Sequence, residues 1–116
     1  MRALALVLSL GLVACDSGAR DPQLQRALRK SLGDARPEMR LVSQDATMIC
    51  GEVRANKARP QAAFRAFVLI RPNSLYLEGE PGVNGDPVKF NQILRSLCPN
   101  GARLSRRFID RHPDAA

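Results

Sequence analysis

The first fourteen residues decide how much of this chain is left to fold. Arg2 precedes a largely apolar run from Ala3 to Val13, about eleven residues long. That is well short of the ~20 residues needed to cross a bilayer. One positive charge ahead of a short apolar run has the make-up of an export signal. Residues 1–14 are therefore expected to be removed. Taking 14 from 116 leaves 102 residues, enough for one small domain with a modest core.

The stretch closes on Leu12-Val13-Ala14-Cys15, which resembles the lipobox of bacterial lipoprotein precursors. Leu12 stands three residues before the cysteine and the small Ala14 directly before it. The resemblance implies that the Cys15 thiol is alkylated by diacylglycerol and the chain is then cut before Cys15. Two or three acyl chains hold durably, since each buried methylene contributes ~0.8 kcal/mol. The implied address is the bacterial cell envelope, on a membrane and facing the periplasm, with the lipid bilayer as the first partner. Asp16 follows the cysteine, where enterobacterial lipoproteins carry a sorting signal. That likeness favours the inner over the outer membrane. An ordinary secretory signal ending by chance in a cysteine is the competing reading.

With Cys15 assigned to lipid, Cys50 and Cys98 remain in an oxidising compartment. They are expected to form one disulfide, with two free buried thiols as the alternative. Formal charge is +7, and loss of Arg2 leaves +6; arginine outnumbers lysine fifteen to three. A basic envelope protein is drawn to anionic head groups and acidic polymers. The candidate contacts are Arg26, Arg29 and Lys30 in the first helix and Arg106 and Arg107 near the C-terminus. With no Trp, one Tyr and four Phe, the chain offers little for base stacking, and nucleic acid is a disfavoured partner.

Along the mature part, residues 15–20 read as a lipidated tether and 21–111 as a single domain. Asp21 and Pro22 are a cap and first position of a helix. Leu24, Ala27, Leu28 and Leu32 share one face of it, and Gly33 ends it. That face packs either on a membrane or on the domain. Strands are expected at Met39–Val42, Thr47–Arg54, Ala63–Ile70 and Leu75–Glu78, separated by polar or proline-containing turns. Gly79 to Pro87 reads as a loop, and Asp86-Pro87 opens a second helix. There Phe90, Ile93, Leu94 and Leu97 share one face. Ala102 to Arg111 adds a short basic helical segment with Leu104 and Phe108 inward, and 112–116 reads as a disordered tail. The fold class is α+β: a small antiparallel sheet of three to four strands with helices packed on one face.

Cys50-Gly51-Glu52-Val53-Arg54-Ala55-Asn56-Lys57, followed by Phe64, Phe67, Phe90 and Cys98, resembles a group of small exported bacterial proteins that are mostly uncharacterised. The likeness covers roughly residues 34 to 98 and implies an envelope domain with a Cys50–Cys98 bridge. It departs at Arg59-Pro60-Gln61-Ala62-Ala63, where the group has glycines and an aromatic. It supplies no activity.

His112 is the only histidine, and it falls in the expected tail. Ser-His-Asp and Cys-His catalysis and metal sites built on two imidazoles are therefore not expected. Gly79, Gly82 and Gly85 lack the Lys-Ser/Thr of a phosphate-binding loop. Glu52, Glu78 and Glu80 could supply the two carboxylates of a glycoside hydrolase, but Glu78 and Glu80 read better as a solvated strand edge. The sequence thus points to a non-catalytic lipoprotein with no cofactor and no metal, binding another envelope component such as a protein. A polyanion-binding module is the second reading and a small hydrolase the third. No small-molecule substrate is indicated.

Overall fold

The computed structural model describes residues 19–33, 37–55, 63–80 and 86–115. Residues 1–14, expected to be an export signal, and Cys15, Asp16 and Arg59 lie outside them. Four strands, β1 (Glu38–Gln44), β2 (Met48–Arg54), β3 (Arg65–Ile70) and β4 (Ser74–Leu77), form one sheet in the order β1-β2-β3-β4. All neighbours are antiparallel, so the sheet is a meander. Helix α1 (Pro22–Leu32) precedes it; α2 (Pro87–Leu97), α3 (Gly101–Arg111) and a 3-10 turn at Pro113–Ala115 follow. The α+β class and the Cys50–Cys98 disulfide are as expected.

The helices do not share one face of the sheet. Leu24 and Leu28 of α1 pack with Ile49, Val53, Phe67, Leu69 and Leu77. Phe90, Leu94, Leu104 and Phe108 of α2 and α3 pack with Met48, Cys50, Ala66 and Val68. Successive side chains on a strand point to opposite faces. The consecutive apolar residues Phe67-Val68-Leu69 therefore need cover on both sides, and α1 supplies it on one. This also resolves the choice left open for α1: its leucines are buried in the domain.

Local chemistry explains the helix ends. The Asp21 carboxylate accepts from the N–H groups of Gln23 (2.9 Å) and Leu24 (3.3 Å), and Gly33 closes α1 at φ 67°, a left-handed conformation that suits glycine. Arg71 Nη1 donates to the other Asp21 oxygen at 3.0 Å, fastening α1 to the end of β3. The Asp86 carboxylate caps α2 in the same way as Asp21 caps α1. At the α2–α3 corner, a Cβ on Gly101 would collide with the carbonyl oxygens of Leu94 and Arg95. Only glycine lets the two helices meet this closely. Asn100 at that corner accepts from Ser43 Oγ (2.6 Å) and donates to the Leu41 carbonyl (3.0 Å).

Two further expectations change. Leu97 is exposed at 44%, one turn past the buried Leu94. Residues 112–115 are not a disordered tail: Ala115 is buried, and its carbonyl accepts from Asn91 Nδ2 at 3.5 Å. Asn91 in turn accepts from Ser105 Oγ at 2.6 Å.

The disulfide ties β2 to the end of α2 across 48 positions. On the chain-entropy account such a loop contributes about 4 kcal/mol. The paired substitution Cys50→Ala, Cys98→Ala should lower the unfolding free energy by about that amount in urea denaturation at pH 7; a loss below about 1 kcal/mol would contradict it.

Candidate functional site

Glu52 sits on β2 facing α3 and is completely buried. An ionised carboxylate in that position needs partners of opposite charge. It has three. Arg40 Nε (2.7 Å) and Arg107 Nε (3.0 Å) donate to Oε1, and Arg111 Nη1 (2.9 Å) donates to Oε2. Arg40 lies opposite Glu52 in the strand register. Immediately after Arg40 the β1–β2 register shifts, and Leu41 takes φ 56°. Such a bulge bends the strand and redirects the side chains beside it.

Arg111 bridges to a second buried carboxylate. Its Nε and Nη2 donate to Glu78 Oε2 (3.1 Å) and Oε1 (2.7 Å). Glu78 also accepts from the Ala66 N–H at 2.8 Å and lies 2.6 Å from His112 Nε2. Burial alone would raise both glutamates. Around Glu52 the arginine hydrogen bonds outweigh it, and around Glu78 those of Arg111, the Ala66 N–H and His112 do so. Both carboxyls are held below the ordinary 4.5. An ionised carboxylate only accepts, so the hydrogen between Glu78 and His112 resides on Nε2. Burial would lower Arg111, but Glu78 and Glu52 together raise it above its ordinary value. Two carboxylates with lowered pKa lack the raised one that a general acid requires.

Above this network lies an open cleft of about 370 Å³, lined by Arg40, Arg54, Ala63, Phe64, Arg107, Asp110 and Arg111. The Arg40 guanidinium stacks 3.7 Å above the Phe64 ring centroid and that of Arg54 at 4.7 Å. Arg54 is also paired with Glu38 at 3.0 Å. Arg40 and Arg107 engage Glu52 through Nε, and their side chains remain 40% and 39% exposed. Neither arginine makes a hydrogen bond through Nη to a described residue, and both line the cleft. A guanidinium held from behind and stacked on a ring is set up for planar, two-point recognition of a carboxylate or phosphate.

Of the basic residues singled out in the sequence, only Arg107 reaches this cleft. Arg106 is exposed on α3 and is not part of the lining. Arg26, Arg29 and Lys30 are exposed on α1, on the other side of the sheet. Arg40, Arg54 and Phe64 were missed as site residues, and Arg111 was legible only as part of a basic C-terminal run that could meet phosphates. Glu78 is no solvated edge: its N–H still pairs with the Ala66 carbonyl one position past Leu77, and alternation puts it with Tyr76 on the helix-covered face, where it is buried. His112 is anchored to it instead of fraying. Glu80 is only half-buried. Among the described residues, no group of three or more His, Cys, Asp or Glu could hold a metal ion, and no helix is long and apolar enough to cross a membrane.

Two predictions follow from the buried carboxylates. Glu52→Gln leaves three arginines facing a neutral amide and should destabilise the fold by about 3 kcal/mol in chemical denaturation, the low end for breaking a buried pair because Arg40 and Arg107 can rehydrate. A depressed folded pKa contributes stability that is fully present above the unfolded value and lost as pH falls through the folded one. Unfolding free energy should therefore be level above the ordinary 4.5 of a glutamate and drop below it. In the combined Glu52→Gln, Glu78→Gln variant the drop should be visibly shallower.

Compared with known proteins, the chain matches no protein-family model, no curated protein and no solved structure.

Proposed function

We propose that this is a non-catalytic lipoprotein of the bacterial envelope, held by acylated Cys15, whose domain binds an anionic group of another envelope component in the arginine-lined cleft. The observation that carries the reading is the pair Arg40 and Arg107. Both are fixed through Nε on a carboxylate with no exposure, and both are open at Nη. A carboxylate or phosphate on a protein or glycan surface has the matching chemistry. Base-stacking polymers match less well. Each of the four phenylalanines is buried, and Tyr76 is half-covered against the core, so no aromatic platform is presented. The lowered carboxyls of Glu52 and Glu78 support a binding role over hydrolysis. The lipobox resemblance supports the anchor.

The cleft is tested in living cells with a photo-crosslinking residue at Ala63, an exposed position on its lining. The expected result is one reproducible adduct that disappears when Arg40→Gln and Arg107→Gln are combined. Each lost charge-assisted contact should weaken binding roughly ten- to a hundred-fold, from about 1.5–3 kcal/mol apiece. An adduct unchanged by the two substitutions, or none from Ala63, would overturn the cleft as the binding site. The anchor is tested separately. Cys15→Ser should leave the chain unprocessed or released from the membrane, and normal retention would contradict acylation.

A further inference from the structure

Helix α1 carries no acidic residue and ends in basic ones. Arg26, Arg29 and Lys30 stand at i, i+3 and i+4, which places them on one side of the helix, and all three are exposed. None of them forms an ion pair with a described residue, whereas Arg40, Arg54, Arg71, Arg107 and Arg111 all do. The opposite side of α1 is fixed, since Leu24 and Leu28 are fully buried against the sheet. The helix therefore cannot roll, and its cationic side has one outward direction. Arg20, also exposed, adds a fourth charge just ahead of the helix. The carboxylate that caps the helix, Asp21, is occupied by Arg71 and the helix N–H groups.

Position in the chain says what this surface meets. Only six residues separate Cys15 from Pro22, and the seven Cα-to-Cα steps reach about 25 Å when fully extended. Asp16 contributes a single negative charge in that interval. Resting on the reading of Cys15 as the lipid anchor, we propose that α1 lies against the anionic phospholipid head groups of the bilayer that holds the chain, through Arg26, Arg29 and Lys30. Because α1 covers one face of the sheet and α2 and α3 the other, this docking turns the arginine cleft away from the membrane. The cleft is then presented to partners in the periplasm. Charge complementarity selects the lipid: basic residues beside a membrane are attracted by anionic head groups and lose that attraction with salt or on a neutral surface.

The test couples the processed chain, beginning at Cys15, through that thiol to a maleimide phospholipid in nanodiscs. All the contacts described above lie beyond position 18, so the processed chain retains them. Nanodiscs of phosphatidylglycerol and of phosphatidylcholine are compared, each carrying a gadolinium-labelled head group, and amide relaxation is read by NMR. In phosphatidylglycerol the amides of α1 should be enhanced several-fold over those of α3, and in phosphatidylcholine the contrast should vanish. Replacing Arg26, Arg29 and Lys30 together with glutamine should lower the docked-to-free ratio on the order of a hundred-fold, about five-fold per charge. Equal enhancement of α1 and α3 in phosphatidylglycerol, or the same contrast in phosphatidylcholine, would overturn the proposal. The coupling is chemical, so either result stands whether or not cells acylate Cys15.

Discussion

A single buried carboxylate organises one side of this protein. Glu52 lies at the middle of a covered strand with no solvent exposure, yet three arginines from β1 and α3 converge on it. Burying such a charge costs several kcal/mol unless every partner is in place. The arrangement therefore specifies where β1, β2 and α3 sit relative to one another, more than it adds net stability. Arg111 carries the same constraint onward to Glu78, and Glu78 fixes the Ala66 N–H and His112. The end of the chain is thereby fastened onto the sheet.

The cleft is a consequence of that constraint. Nε of Arg40 and of Arg107 is held on Glu52, while Nη of neither makes a hydrogen bond to a described residue. Phe64 supports the stack from the side, at 3.7 and 4.7 Å from two guanidiniums. A site built this way is preorganised: its charges are held before a ligand arrives, which reduces the ordering cost of binding. The disulfide and the Asn100 contacts to β1 hold the helical layer over the same face of the sheet.

Much of the fold was legible because it rests on local chemistry. Asp21-Pro22 and Asp86-Pro87 marked the two helix starts, and the β-branched and apolar runs marked the strands to within a few residues. The two-sided burial of the sheet was written in Phe67-Val68-Leu69 but read only as a sign of a central strand. The site was far less legible. Its residues come from positions 40, 52, 54, 64, 107 and 111, and no spacing within the chain joins them. One signal was present: Glu52 alternates with Cys50, so the bridge that covers Cys50 also covers the glutamate. A buried glutamate demands cations, and the helix register places Arg107 and Arg111 four residues apart on one face. The place of Arg107, Arg111 and His112 near the end of the chain, far in sequence from Glu52, conceals that connection.

The cleft depends on Arg40 and Arg107 being fixed at Nε and left without a partner at Nη among the described residues. Proton NMR of the arginine side chains reads this directly, with Arg106 on the exposed side of α3 as the internal reference. The expected spectrum at neutral pH shows slowly exchanging, downfield Nε–H signals for Arg40 and Arg107, with Nη signals still averaged by contact with water. Nε–H signals for these two residues that exchange as fast as that of Arg106 would contradict the account.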